Sequence, residues 1–505
     1  MKISTVTLDK ISYIWISIPL FIFLFFWLKP VIAMVLILLF AFSIRKIFEK
    51  LQDNFISIKK NVFVFVLLIS ILWCVLAGIG GLAYQSPDWH VRNAIFRDLI
   101  NFSFPVKYDN GSMLVYYLGI FLPGSIFGKF FINMGNDFAF KMGNLFMLFY
   151  ISVGIDLIIF QIIRTLKIKN KQFLIPLIFI FFSGLDIFVP NLKLNLTIMH
   201  LERHDILQYS CFTTLLFWVY NQAVAPILTV LLFFKNPYKI ANFGFFGLSC
   251  LFYSPLVFCG MFIYLAVISI IYLVKSINNK KLKHFFKKVF SVENLLILPV
   301  IFTIYMYFKS NASVNIDSLK FILFDNSFNI TKLLISIIIF VIFEAGIYFI
   351  LVFHKFKKNI VFQITIFSLC GIPFFQFGKC ADFCMRASIP ALTILMLFVI
   401  KYLFNQKNPK AIKIFLVIAF LLGSITPTVE LLRSISHSLY ANKSTLIKDN
   451  LKTYNNKIYK ENCKYELISG YSILAVSTNY CNYGSIEPEK YFFFKYLAKQ
   501  KHQTM

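Results

Sequence analysis

At 505 residues, 59% of them hydrophobic and 18% aromatic, the chain carries far more apolar side chain than a soluble protein, and a polytopic membrane protein is expected. A formal net charge of +28 would suggest nucleic acid in a soluble domain, but the Lys and Arg residues sit between apolar runs, so they report topology and no nucleic-acid partner is expected. The P-loop, GxSxG, HExxH and dinucleotide motifs are absent from the sequence, which leaves ATP-driven transport, serine hydrolysis and zinc proteolysis without a basis.

The first apolar run follows "MKISTVTLDK" and has no small-residue cleavage site before Lys29-Pro30, so it reads as a retained helix over 11–28 and not as a signal peptide. Helices are predicted next at 31–44, 61–83, 138–163, 173–190 and 211–234. The run 241–274 is expected to split into two short helices turning near Ser254-Pro255. Further helices at 289–308, 332–353, 360–378, 387–404 and 411–429 bring the total to about 13 spans. Five basic connectors, 45–60, 164–172, 275–288, 354–359 and 401–413, are cytoplasmic by the positive-inside rule. The fold class expected is therefore all-α integral membrane, with a transmembrane domain over 1–430 and a small extracytoplasmic α+β tail over 431–505.

The same rule leaves residues 84–137 outside, a large first outer loop. Its apolar stretch "MLVYYLGIFLPGSIFGKFF" (113–131) is broken by Gly and Pro and reads as a pair of interfacial or re-entrant helices. The loop opens with "SPDWHVRNAIFRDL" (86–99), which packs Asp88, His90, Arg92, Arg97 and Asp98 into an otherwise apolar chain.

A large first outer loop with membrane-parallel helices, opened by an acid just after a transmembrane helix, resembles the GT-C class of membrane glycosyltransferases. The resemblance implies a polyprenyl-phosphate-linked sugar as donor, a glycan or lipid of the cell envelope as acceptor, and Asp88 as catalytic base or acceptor-orienting acid. Asp88 lacks the adjacent second acid that many members carry, so neither a metal nor another cofactor is expected. "SPDWHVRNAIFRDLINFSFPVKY" and "DFCMRASIPAL" (382–392) also resemble bacterial membrane proteins of undefined activity associated with surface polysaccharides.

Chemistry gives the candidates independently, because sugar transfer from a lipid phosphate needs a carboxylate at the acceptor hydroxyl and cations at the leaving phosphate. Asp88 supplies the first, with His90 or Asp98 as substitute base or acceptor contact. Asp88 could instead cap the helix that starts at Trp89. For the phosphate, Arg386 and Lys379 in "GKCADFCMRASIP" (378–390) are the candidates, joined by Arg92 and Arg97. Arg386 could otherwise snorkel to water or pair with Asp382. The loop 191–210 offers Glu202 and His204 as sugar or acceptor contacts, against a plain solvated loop; His200 and His204 have helical spacing but no further ligand motif. Asn221 and Gln222 lie in an apolar run and call for interhelical hydrogen bonds. Asp156 and Glu344 fall inside predicted helices, and they carry the alternative reading, a transporter or flippase of a lipid-linked glycan. Of nine cysteines, Cys463 and Cys481 flank a possible strand and could pair in an oxidising compartment.

Overall fold

The computed structural model describes residues 1–86, 88–108, 111–188, 201–202, 206–312, 319–325, 329–377, 381–440 and 483–499, and the backbone alone of 465–468 and 472–475. Among them eight helices are long and apolar enough to cross a membrane, and five shorter apolar helices lie between. The chain is a helical membrane protein.

At one end, here the lower, β1 (Lys2–Ser4) pairs antiparallel with β2 (Phe55–Ser57). Helix α1 (Thr5–Trp27) rises from it, capped by the Ser4 hydroxyl, which accepts the Thr7 N–H at 3.2 Å. α2 (Pro30–Glu49) descends and α3 (Lys60–Leu76) rises. The upper loop carries α4 (Trp89–Asn101), β3 (Met113–Leu114) and α5 (Phe121–Lys129). α6 (Asn136–Thr165), α7 (Leu174–Phe181) and α8 (Phe212–Lys235) continue the alternation. α9 (Phe243–Tyr253) and α10 (Pro255–Asn278) form a hairpin whose turn is Ser254–Pro255, where Ser254 caps α10 and Pro255 opens it. Then come α11 (Leu282–Val289), α12 (Val292–Lys309) and β4 (Leu319–Phe321). α13 (Ile330–Val341) joins α14 (Ile347–Phe356) through a π-helical turn, Ile342–Gly346. α15 (Ile360–Gly371), β5 (Phe375–Phe377, paired with β4), α16 (Asp382–Ala387), α17 (Ile389–Phe404), α18 (Lys410–Gly423) and α19 (Ile425–Tyr440) follow. β6 (Tyr465–Ile468) and β7 (Ser472–Ala475) make a hairpin, and β8 (Gly484–Ser485) pairs with β3.

Several features differ from the sequence reading. The helix expected over 61–83 stops at Leu76, because Gly78, Gly80 and Gly81 take φ of 84°, 87° and 71° and turn the chain out of helical geometry. The helix expected over 173–190 stops at Phe181, and the last helical stretch runs on to Tyr440. The helix pair expected in 113–131 is one short helix, α5, since the backbone at 113–114 is committed to β8. Finally, the end of the tail is part of the main body. Phe493 is fully buried between the Phe23 and Tyr307 rings, and Lys29 N–H donates to the Leu497 carbonyl at 2.9 Å. The Cys463–Cys481 pairing falls outside the described residues.

The lower end is pinned by charge. Asp9 of α1, 1% exposed, takes Arg164 of α6 in a two-pronged ion pair and Lys235 of α8 at 2.5 Å. An ion group shared by three helices fixes their relative height, since removing one partner would leave charge buried unpaired.

Candidate functional site

The upper-end cluster is built by four segments. α4 brings Asp88 and Arg92 one turn apart, and the segment 115–118 brings Tyr116 and Tyr117. α8 brings Tyr220 and Asn221, and α16 brings Asp382 and Arg386. Both arginines and Asp88 act electrostatically on the Tyr116 hydroxyl, so residues distant in sequence meet there.

Asp88 stands at the first position before α4 with helical dihedrals (φ −63°, ψ −21°) and makes no capping bond. The capping role considered from sequence is therefore not the one observed. Its Oδ2 accepts from Arg92 Nη2 at 3.3 Å, while the side chain stays 55% exposed. Arg92 is buried, packed against the Tyr220 ring, and its Nε and Nη1 have no hydrogen-bond partner. Arg386 is tied to Asp382 at 2.5 Å, with its Nε unpartnered, and neighbours Tyr117 as well as Tyr116. The pairing considered from sequence is thus present, and it leaves donor capacity over. Burial pushes the Tyr116 hydroxyl above the usual phenol range, with Arg92 and Arg386 pulling the other way, so it stays a neutral donor.

The platform is held rigidly. The Tyr307 hydroxyl accepts the Tyr116 N–H at 3.1 Å and donates to the Tyr116 carbonyl at 3.2 Å. Asn311 donates to the Val115 carbonyl at 2.9 Å, and Val115 N–H reaches the Tyr483 carbonyl at 3.0 Å. α8 kinks at Val219 (φ −142°, ψ 34°), above Pro226, which removes the N–H that the Gln222 carbonyl would use. The kink turns Tyr220 under Trp89, centroids 4.7 Å apart, and sets the buried Asn221 amide beside the Tyr116 hydroxyl. Gln222, as expected, bonds between helices, accepting from the Ser254 hydroxyl at 2.9 Å. α16 approaches α10 so closely that a Cβ at Gly260 would strike the Ala387 carbonyl.

Two sequence candidates serve packing instead. Arg97 pairs with Asp137 at 3.0 Å and lies over the Phe140 ring at 3.7 Å, tying α4 to α6. Asp98 is buried and accepts the Tyr108 hydroxyl at 2.8 Å, which removes it as a substitute base in contact with solvent. The side chains of His90, Lys379 and His204 lie outside the described residues. Glu202 is fully buried rather than solvated: its Oε1 accepts from the Cys211 N–H and the Thr214 hydroxyl at the start of α8. Asp156 sits beside Ser70 and Cys74 of α3, whereas Glu344 meets Asp186, so the two intramembrane acids belong to different places.

No protein family, curated protein or solved structure matches the chain.

Proposed function

We propose that the chain is a membrane glycosyltransferase that moves a sugar from a polyprenyl-phosphate donor to an envelope glycan or lipid at the outer face of a bacterial inner membrane. The observation that supports this reading is the meeting of Asp88, Arg92 and Arg386 around Tyr116. Two guanidinium groups from separate segments, Arg92 buried and Arg386 partly buried, keep unpartnered N–H groups, the donor set that suits a phosphate oxygen. Asp88 beside them keeps one carboxylate oxygen open to solvent.

In this reading Arg92 and Arg386 hold the lipid phosphate and stabilise it as it leaves, while the Tyr116 ring packs against the sugar and Tyr220 backs Arg92. Asp88 Oδ1 takes the proton of the acceptor hydroxyl as the oxygen attacks the anomeric carbon. The C–O bond to phosphate breaks as the new glycosidic bond forms, and a single displacement inverts the anomeric centre. The eight long apolar helices, with the five shorter ones between, fit 13 crossings with the basic connectors inside.

The test is transfer by the purified full chain in lipid nanodiscs, supplied with polyprenyl-phosphate-linked sugar. Asp88→Asn is expected to abolish transfer and keep donor binding; Arg386→Ala is expected to lose donor binding. Transfer by Asp88→Asn at the wild-type rate would end this reading. The transporter reading predicts the reverse, with Glu344→Gln blocking movement of an intact lipid-linked glycan.

A further inference from the structure

Away from Asp88, three carboxyl groups converge from segments that are not neighbours in sequence. Asp186 follows a break in which Phe182–Leu185 leave the α7 helix. Glu202 precedes α8, and Glu344 lies inside the π-helical turn between α13 and α14, a helix irregularity often found at functional positions. Their residues are 1%, 0% and 2% exposed.

Hydrogen bonds satisfy only part of the group. Asp186 Oδ2 accepts from the Ser183 and Thr426 hydroxyls at 3.1 and 2.7 Å. Asp186 Oδ1, Glu202 Oε2 and both oxygens of Glu344 have no partner. Glu344 is aimed at Gly184, where any Cβ would collide with its carboxylate, and lines a cleft with room for a single water-sized guest. No Lys, Arg or His among the described residues pairs with any of the three. Arg433 of α19 pairs with Glu430, itself an acidic neighbour of Glu202. Among the described residues the other titratable groups facing the cluster are Cys211 on α8, Cys384 on α16, Tyr209 and Tyr348, none of them cationic.

Three ionised carboxylates in so dry a place, with no counter-charge among the described residues, would repel one another and forfeit their hydration. A cation must be taken up, and the choice is between a metal ion and protons. Among the described residues no group of three or more His, Cys, Asp and Glu side chains is arranged to hold a metal ion. A protonated carboxyl, in contrast, gains an O–H that can donate to the unpartnered oxygen of its neighbour.

We propose that Asp186, Glu202 and Glu344 form a proton-binding site, in which protons drawn from solvent are held as carboxyl-to-carboxylate hydrogen bonds across the α7 break and the π turn. Burial and then the Asp186 charge push the Glu202 carboxyl up to about 8, in line with this placement. α16 lies between the proton site and the Asp88 cluster, with Cys384 facing the acids and Arg386 facing Tyr116. The inference stands whether or not sugar transfer takes place there.

Infrared titration of the full chain in nanodiscs tests it. The wild type should show the C=O stretch of protonated carboxylic acid at neutral pH, fading as pH rises and unchanged when sodium or potassium is exchanged for a bulky organic cation. Glu344→Gln and Glu202→Gln, each an uncharged near-isostere, should each weaken that band. The absence of the band in wild type at neutral pH would overturn the proposal, as would equal bands in wild type and both variants. Loss of the band on adding sodium at fixed pH would replace it with a metal-cation site. The wild-type titration decides the matter even where a variant fails to fold.

Discussion

Asp88 and Arg92 carry opposite charges one helical turn apart, yet one is half exposed and the other buried. That asymmetry suits a base that must meet water-borne or lipid-borne hydroxyls beside a cation that must not be hydrated away. Arg386→Lys keeps the charge and loses the planar fork, so donor use should fall; Arg386→Ala should lower it further, by about tenfold to a hundredfold for about 1.5–3 kcal/mol of charge-assisted bonding. Donor binding to purified variants measures this, and equal affinity in all three proteins removes Arg386 from the phosphate site. Glu202 gives a second prediction at this scale. A carboxyl raised from 4.5 to about 8 binds its proton more tightly when folded, so its stabilising contribution is complete below about 4.5 and is lost as pH rises through about 8. The thermal midpoint of wild type should therefore drop across that window, and Glu202→Gln should flatten the drop. Charged residues in an apolar chain stand out, which is why Asp88, Arg92 and Arg386 were legible in the sequence. Tyr116 and Tyr220 were not, being two of 25 tyrosines among 63 phenylalanines with nothing local to mark them. Asp9 and Asp186 also passed unnoticed, because their partners lie on other helices.

Helix α8 shows what an element adds to its residues. Trp218 donates its indole N–H to Glu430 at 3.1 Å while Tyr220 and Asn221 turn toward Tyr116; the kink at Val219 lies between them and sets how the two ends of the helix are aimed. Pro226 was visible in the sequence, and the direction of the bend was not, since neighbouring helices set it. The segment 115–118 depends on α12 in the same way. Tyr307→Phe removes the hydroxyl that satisfies both backbone groups of Tyr116, and leaving them unpaired should cost about 1–3 kcal/mol. The loss should be local: donor binding weakens and protease sensitivity rises near Tyr116, with the overall melting curve little moved. A full collapse of the fold in that variant would show the contact to be structural at large.

For the whole molecule, charge placed the basic connectors correctly at helix ends, and the Ser254–Pro255 turn was readable from a helix-capping Ser followed by Pro. Tertiary choices were less legible, such as the docking of 483–499, because a backbone strand partner leaves no mark in side-chain pattern. The Asp9 group should govern global stability: Asp9→Ala strands Arg164 in a dry interior and should cost about 3–5 kcal/mol, measurable as a lowered unfolding midpoint in detergent. Topology follows from contacts already described, since β3 and β8 share one end and β1 and β2 the other. Cysteines introduced at Lys107 and Glu487 should react together with a membrane-impermeant reagent on intact cells, and one at Lys283 should not. Labelling of Lys283 and protection of the other two would invert the proposed orientation.

The pairing of β8 with β3 carries a consequence for how the protein is made. Residues 483–499 leave the ribosome after every described transmembrane helix, yet the Tyr483 carbonyl holds Val115, next to Tyr116. A nascent chain that has threaded all its described helices still lacks that hold on Tyr116, which waits until residues 483–485 have been made. A ribosome that stalls between Tyr440 and Tyr483 leaves behind a protein whose helices are made and whose β3 edge has no strand partner.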